Sequence, residues 1–244
     1  RIALLPEEFE ERLRQLAAIT GALHSDLGVR LDVGGEKIFL VDDTGRILDQ
    51  QVAAAAMAEL TLRTHPGSTI VVPVDLSQVF DQIAAAHGGT VRRTRVDVQD
   101  LMATSARESI IMAADGTGYF VFPCFQPVVD GLVATIKLLE MLAIQKTKLS
   151  EVVRNLPPFY IAKGRVNCPW EAKGTVMRLL NEQFKSAHTE RLDGLKIYLS
   201  DREWVLVRPD PDQPLFHVVA EASSSQQAEE LVEKYCRIVE GLQA

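Results

Sequence analysis

The chain has 244 residues, of which 47% are hydrophobic and 24% are charged, and its formal net charge is −7. This size and composition are typical of one large or two ordinary globular domains, and they exclude a disulfide-stabilised miniprotein and a disordered chain. The acidic charge argues against a nucleic-acid partner, because phosphate backbones are bound by clustered basic residues.

The sequence contains no apolar run of the length that a membrane helix needs, and it opens without a secretory signal pattern. We therefore expect a cytoplasmic protein with no membrane partner. Its three cysteines lie far apart, at positions 124, 168 and 236, so they predict reduced thiols and no zinc site. Because the chain starts with Arg1 and a predicted helix follows almost at once, we expect a piece of a longer polypeptide.

Residues 1–48 predict a helix followed by a hairpin. Pro6 marks the start of the helix, since proline is favoured in a first turn, and apolar residues then recur at helical spacing as far as Gly21. Residues 27–33 and 37–41 predict two strands. The pair Gly34-Gly35 between them is typical of a tight hairpin turn.

Residues 49–155 alternate between helical and strand patterns, which predicts a layered α/β domain whose sheet is mixed and largely parallel. The predicted helices are 51–62, 76–87, 98–106 and 130–142, and the predicted strands are 68–73, 90–96, 109–112 and 119–122. The last helix carries four apolar residues on one face. They are Leu132, Ile136, Leu139 and Ala143.

Residues 156–244 predict a second, smaller domain. Leu156-Pro157-Pro158 marks its start, because two prolines cannot continue a helix. Strand patterns at 159–166, 195–199, 203–207 and 215–221 follow, with a helix at 170–185 and a closing helix capped by the serines at 223–225. This order is typical of an α+β domain with a small antiparallel sheet.

Several stretches of sequence carry a longer pattern, namely DLGVRLD at 26–32, DTGRIL at 43–48, YFVFPCF at 119–125, WEAKG at 170–174 and WVLVRP at 204–209. In this order they resemble the C-terminal half of the α-D-phosphohexomutases, the family of phosphomannomutase and phosphoglucomutase. The resemblance implies the end of the family's second domain at 1–48, its third domain at 49–155 and its fourth at 156–244. It also implies that the phosphoserine-bearing first domain is missing from this chain.

The first loop with a counterpart in the family lies at 32–37 and reads DVGGEK, where the family has the magnesium loop D-G-D-x-D-R. The resemblance implies Asp32 and Glu36 as metal ligands, while Gly34 replaces the second carboxylate and Lys37 the arginine. Magnesium demands near-octahedral oxygen geometry, so we expect a severely weakened site. The alternative is a glycine hairpin turn flanked by solvated acids.

The second loop lies at 114–119 and reads ADGTGY, where the family has the sugar-recognition sequence G-E-x-S-G-H. The resemblance implies that Asp115 and Thr117 contact sugar hydroxyls, with Tyr119 in place of the histidine. The residues by themselves are equally typical of a turn between strands, a common use of Asp, Gly and Thr.

The third loop lies at 208–214 and reads RPDPDQP, where the family's phosphate loop is R-x-S-(G/N)-T-E-P. The resemblance implies Arg208 as a phosphate contact, but Asp210 and Asp212 replace the hydroxyls and Pro211 has no N–H to donate. A carboxylate at about 4 Å from a phosphate charge costs roughly 4 kcal/mol at an effective dielectric of 20. We therefore expect that this loop does not bind phosphate as the family does.

Two functions compete at this point, and a third, non-catalytic option is a protein-interaction or oligomerisation scaffold. The first is a catalytically degenerate phosphomannomutase-like module, structural or ligand-sensing, of a sugar-nucleotide biosynthesis protein of the mannose-1-phosphate guanylyltransferase type. The second is part of an active phosphomannomutase or phosphoglucomutase that interconverts hexose 6-phosphate and hexose 1-phosphate. Under either, this chain supplies no catalytic residue and is inactive alone, and its candidate partners are a sugar phosphate, the missing N-terminal domains and a second copy of itself.

Overall fold

Two five-stranded sheets and one two-stranded ribbon organise residues 6–107 and 109–243, which the computed structural model describes. By its internal packing the chain divides into one unit that ends at Pro157 and a second that starts at Pro158. Arg1, on which the expectation of a longer polypeptide rests, lies outside the described residues. The three-part division into 1–48, 49–155 and 156–244 stays a prediction.

The first unit begins with a helix and a hairpin. Helix α1 (Pro6–Ala22) is followed by strands β1 (Gly28–Leu31) and β2 (Ile38–Val41), which pair antiparallel. The strands are shorter than the sequence predicts. Gly35 in the connecting turn has φ = +73°, a conformation that glycine adopts without steric cost, so this residue suits the turn.

The remainder of the first unit is an α/β domain. Its elements are α2 (Gln50–Thr64), β3 (Thr69–Pro73), α3 (Val79–Ala86), β4 (Thr90–Thr94), α4 (Val98–Arg107), β5 (Ile110–Ala114), β6 (Phe120–Phe122), β7 (Gln126–Val129), α5 (Gly131–Gln145) and α6 (Leu149–Asn155). The sheet order is β4-β3-β5-β6-β7. Strand β3 pairs parallel with β4 and β5, whereas β6 and β7 are added antiparallel, so the predicted mixed sheet is confirmed.

Helix α2 forms the centre of this domain. Alanines 53–56 are at most 1% exposed, as is Met57, so this helix is packed on nearly all sides. Its first turn is capped by Asp49, whose carboxylate accepts the backbone N–H groups of Gln51 and Val52. The small side chains allow close packing against α3, α5 and α6, and they hold the N-terminus of α2 in a fixed place.

The second unit is the predicted α+β domain with an antiparallel sheet. Its elements are β8 (Tyr160–Asn167), α7 (Trp170–Gln183), β9 (Thr189–Glu190), β10 (Leu195–Tyr198), β11 (Trp204–Pro209), β12 (Leu215–Ala222) and α8 (Ser225–Gly241). The strand order is β8-β12-β11-β10-β9, with antiparallel pairing throughout. Val176, Leu180, Val205, Val218 and Tyr235 belong to the core between the sheet and its helices.

Helix α5 has its apolar stripe on the outside. Leu132, Ile136, Leu139 and Ala143 share one face as the sequence predicts, but that face is exposed. The buried residues of the helix lie on the opposite face. They are Gly131, Ala134, Leu138 and Met141.

No helix in the described ranges has the length and apolarity required to span a bilayer.

Candidate functional site

The predicted site residues lie on three loops. Asp32 and Glu36 are in the β1–β2 turn, and Asp115 and Thr117 are in the β5–β6 turn of the same unit. Arg208 lies at the end of β11 in the second unit. The first two loops belong to the first unit and the third loop belongs to the second unit, so they form two local sites.

In the β1–β2 turn, the carboxylate of Asp32 is used to hold the backbone. Asp32 Oδ1 accepts the N–H of Glu36 at 2.8 Å and the N–H of Lys37 at 3.0 Å. Partial burial acts to raise the pKa of Asp32, but hydrogen bonds from the backbone of Lys37, Glu36 and Gly34 outweigh it and lower the pKa. Asp32 therefore serves as an ionised cap of the hairpin turn.

The β1–β2 turn supplies few side-chain ligands for a magnesium ion. In the part of the chain described, no group of three or more His, Cys, Asp or Glu side chains is placed to hold a metal. One oxygen of Asp32 is already engaged by two N–H groups, and Gly34 supplies no side-chain oxygen. Magnesium takes six oxygen ligands at short range, and this turn offers it only Asp32 Oδ2 and the Glu36 carboxylate as side-chain ligands, so the remaining ligands would have to come from outside the turn.

The β5–β6 turn is closed in the same way by Asp115. Its Oδ1 accepts the N–H of Thr117 at 2.8 Å and the N–H of Tyr119 at 3.0 Å, and its Oδ2 accepts the Thr117 hydroxyl. The turn also depends on Gly116 at φ = +70° and Gly118 at φ = +111°. Both carboxylate oxygens of Asp115 thus have partners within their own loop.

Lys37 joins these two turns. Its Nζ lies 3.0 Å from Thr117 Oγ1 and 4.3 Å from the centre of the Tyr119 ring. The backbone follows the same path, since Ile38 N–H donates to Gly118 O at 3.0 Å. The residues of the β1–β2 and β5–β6 turns therefore form one cluster with Lys37 at its centre. The sequence analysis noted Lys37 only as the replacement of the family's arginine.

The cluster is acidic. Burial raises the pKa of Tyr119, and the carboxylates of Glu36, Asp32 and Asp115 raise it further because they disfavour a second negative charge nearby. Such surroundings suit neutral hydroxyl groups or a cation better than they suit a phosphate.

The loop after β11 is built around Asp210. Asp210 Oδ1 accepts the N–H groups of Asp212 and Gln213, both at 2.8 Å, and Oδ2 lies 2.6 Å from His217 Nε2. The hydrogen bond with His217 is the largest of the effects that lower the pKa of Asp210 to about 2. The carboxylate therefore occupies a small cradle of donors that could otherwise receive a different anion.

Lys173 fixes the same loop from the first turn of α7. Its Nζ donates to Asp210 O at 2.6 Å and also to Gln213 O, and it lies 3.8 Å from the centre of the Trp170 ring. The lysine is only 9% exposed. Its ammonium group thus already interacts with two backbone carbonyls and an indole ring of the protein itself.

Arg208 is paired as well. Its Nε lies 3.6 Å from Asp193 Oδ2, and the Arg208 side chain is 14% exposed. Across the sheet Arg208 is in register with His217, so the arginine and the histidine lie side by side on neighbouring strands. Each of the two residues faces an internal carboxylate, Asp193 for Arg208 and Asp210 for His217.

Sequence reasoning missed three residues of these clusters as site residues, Lys37, Lys173 and His217. Lys37 did carry a signal, since it replaces the arginine of a recognised motif. Lys173 and His217 carry none, because their contacts with Asp210 depend on the helix position and the strand register.

Comparison with known proteins gives the family context. Residues 49–160 match the family model described as phosphoglucomutase/phosphomannomutase, alpha/beta/alpha domain III. A probable phosphoglucosamine mutase from Methanopyrus kandleri is 28% identical over 96% of this chain and 52% of that protein. A phosphopentomutase from Thermococcus kodakarensis is 31% identical over 93% of this chain and 51% of that protein. The chain therefore spans about half the length of the curated relatives it matches.

Solved structures show the same fold. A phosphoglucomutase/phosphomannomutase family protein from Burkholderia thailandensis superposes with a TM-score of 0.79 at 20% identity, over 95% of this chain and 50% of that one. An Aspergillus fumigatus N-acetylphosphoglucosamine mutase, solved in complex with GlcNAc-6P and magnesium, has a TM-score of 0.60 at 15% identity, over 89% of this chain and 49% of that one. At these identities, both comparisons show the fold of this chain and nothing further.

Proposed function

We propose that this chain, whose residues 49–160 match the model of domain III of the phosphoglucomutase/phosphomannomutase family, is a phosphohexomutase-family module that has lost phosphoryl transfer. Its role is structural or ligand-sensing within a longer cytoplasmic protein of sugar-nucleotide biosynthesis. A mannose-1-phosphate guanylyltransferase type of polypeptide is the parent that we propose. The N-terminal part of that polypeptide would then be its catalytic partner.

The main support for this proposal is Asp210, whose carboxylate is hydrogen-bonded within the β11–β12 loop and to His217. A phosphate entering the loop would have to displace Asp210 from the N–H groups of Asp212 and Gln213 and from His217. If Asp210 stayed within about 4 Å of it, the repulsion would cost roughly 4 kcal/mol at an effective dielectric of 20. Arg208 cannot compensate fully, because Asp193 already neutralises part of its charge.

The β1–β2 turn supports the same conclusion. Asp32 is committed to the hairpin, and Glu36 is the one further carboxylate that the turn itself supplies. We propose that Asp32 and Glu36 do not hold magnesium at millimolar concentration in this chain.

A second candidate function is part of an active phosphomannomutase or phosphoglucomutase. In that case Asp115 and Thr117 contact the sugar, Arg208 contacts phosphate, and Asp32 and Glu36 contribute to a metal site completed elsewhere. The observation that favours it is the polar surroundings of the β5–β6 turn. Lys37 reaches Thr117, and Gln51, which is 7% exposed, has a buried Oε1 without a hydrogen-bond partner in the described structure.

Calorimetric titration of the chain with mannose 1-phosphate and with glucose 1-phosphate, each with and without magnesium, separates the two functions. A purely structural module predicts no heat of binding up to millimolar ligand, and no change upon adding magnesium. Micromolar binding that is weakened in Arg208→Ala or Asp115→Ala would contradict the structural role and support the mutase or the ligand-sensing role. Lys185→Ala, at an exposed position of the second unit outside the three loops, is the control variant.

A further inference from the structure

A cavity of about 190 Å³ in the first unit is lined by residues of helices α2 and α5 and of strands β5 and β6. The apolar part of its wall consists of Ile111, Phe122, Met141 and Ile144. Ile111 is near the start of β5 and Phe122 ends β6, whereas the β5–β6 turn follows the end of β5 and precedes β6. The cavity therefore lies at the other end of these two strands from the β5–β6 turn.

The hydroxyl groups of the wall already have partners within the protein. Thr61 is 1% exposed, and its hydroxyl donates to Met57 O at 2.7 Å. The Thr64 hydroxyl donates to Leu60 O at 2.9 Å and accepts an N–H of Gln145 Nε2 at 2.8 Å. Neither hydroxyl has a second hydrogen to donate to a ligand, so the interior suits an apolar group. An apolar cavity of about 150 Å³ accepts benzene, so this cavity has room for a benzyl or an isobutyl group.

Four ionisable side chains also line the cavity, namely His65, Cys124, Lys137 and Glu140. Lys137 Nζ lies 2.8 Å from Glu140 Oε2, and these two side chains are 32% and 47% exposed. The hydrogen bond with Glu140 is the largest effect that raises the pKa of Lys137, and the nearby Cys124 adds to it. The cavity therefore has one ammonium and one carboxylate group side by side, and solvent reaches both.

These two opposite charges select among small apolar ligands. A carboxylate on the ligand is attracted by Lys137 but repelled by Glu140, and an ammonium group on the ligand meets the reverse. A ligand that carries both groups on one carbon atom can pair with both side chains. Separating Lys137 from Glu140 costs little, because exposed ion pairs contribute little to stability. The charges of the cavity thus favour a zwitterion, while its wall favours an apolar side chain.

We propose that this cavity binds an apolar α-amino acid, whose carboxylate pairs with Lys137 and whose ammonium group pairs with Glu140. The aromatic or branched side chain of the ligand occupies the space lined by Ile111, Phe122 and Met141. None of these residues belongs to the three loops, so the site does not depend on whether the module transfers phosphoryl groups. For a ligand of the size of phenylalanine, we expect a dissociation constant on the order of 1 mM.

Alkylation of Cys124 tests the binding, because this exposed cysteine lines the cavity. L-phenylalanine at about 10 mM should slow the reaction of Cys124 with iodoacetamide about tenfold, since the cavity is then almost fully occupied. Phenylpropionate lacks the ammonium group and phenethylamine lacks the carboxylate, so each should slow the reaction about twofold or less at the same concentration. Cys236, in the second unit, is the internal control, and its rate should not change. Mass spectrometry of the alkylated peptides measures both rates in one sample.

Charge variants test the assignment of the two groups. Lys137→Gln and Glu140→Gln should each reduce the protection by phenylalanine from about tenfold to about twofold. Each variant is compared with its own rate without ligand, because Lys137 lies near Cys124. Lys146→Gln makes the same charge change at an exposed position just beyond α5 and should keep full protection. No protection in the wild type, equal protection by all three ligands, or full protection in both cavity variants overturns the proposal.

Discussion

His217 Nε2 lies 2.6 Å from Asp210 Oδ2, and this contact ties strand β12 to the loop that leaves β11. Two backbone N–H groups complete the surroundings of the same carboxylate. An aspartate in such a cradle is both a structural element and an occupant of an anion site. The stability of the second unit and the proposed lack of phosphate binding therefore both depend on one side chain.

Removing the charge of Asp210 should destabilise the second unit. Its folded pKa of about 2 lies below the ordinary aspartate pKa of 3.8, so ionised Asp210 contributes up to about 2 kcal/mol to folding. That stability is present above the unfolded pKa and is lost as the pH falls through the folded pKa. We expect Asp210→Asn to lower the urea midpoint at pH 7, and the difference from wild type to shrink between about pH 4 and pH 2.

The matched control for this substitution is Asp212→Asn. Asp212 is exposed and two residues away, and its backbone N–H, which the substitution keeps, is the group that contacts Asp210. Its effect should stay within about 0.5 kcal/mol. Equal losses in the two variants, or a loss in Asp210→Asn that does not depend on pH, would show that the Asp210 carboxylate has no special role.

Lys173 should matter for stability more than an exposed lysine does. Lys173→Met keeps the aliphatic stem but leaves the carbonyls of Asp210 and Gln213 without their ammonium donor, which we expect to cost about 1–3 kcal/mol. Lys185→Met, at an exposed site just beyond α7, is expected to be neutral. Denaturation followed by tryptophan fluorescence measures the stability of both variants. Equal midpoints would show that the hydrogen bonds from Lys173 to the two carbonyls do not stabilise the second unit.

The junction of the first two loops can be tested at Gly118. A Cβ at this position would lie 2.9 Å from Ile38 O, and φ is +111°. Gly118→Ala should therefore destabilise the first unit by about 1–3 kcal/mol. Gly174→Ala is the opposite case, because it lies in the exposed interior of α7 with no atom within 4 Å of the added Cβ. It should stabilise its helix by about 0.5–1 kcal/mol. Thermal unfolding should therefore show a lower midpoint for Gly118→Ala and a higher midpoint for Gly174→Ala than for the wild type.

Much of the fold follows from local pattern. The alternation of helix and strand after residue 49 and the antiparallel strands after residue 158 were predictable because apolar periodicity reports which face of an element is buried. Strand β7 was missed because it has only four residues and contains Pro127, which argues against a strand; the structure places it at a sheet edge, where proline is tolerated. Helix α5 is apolar on two faces, so its sequence could not tell which face is buried.

The candidate site was predictable only in part. The family resemblance implied that Asp210 and Asp212 replace hydroxyl residues, and it therefore predicted that phosphate binding is disfavoured. It could not show that Asp210 turns inward to meet His217, because that contact depends on the register in which β11 pairs with β12. Likewise, Lys37 and Thr117 are 80 residues apart in the chain, and only the packing of two turns brings them to 3.0 Å.

The most direct test of the central claim is a calorimetric titration of inorganic phosphate into the wild-type chain and into Asp210→Ser. If the carboxylate closes the cradle, the wild type shows no binding up to millimolar phosphate. Asp210→Ser frees the N–H groups of Asp212 and Gln213 together with His217, and it should bind phosphate at least tenfold more tightly. Phosphate binding by the wild type, or a variant that binds no better than the wild type, would contradict the claim that Asp210 occupies an anion site.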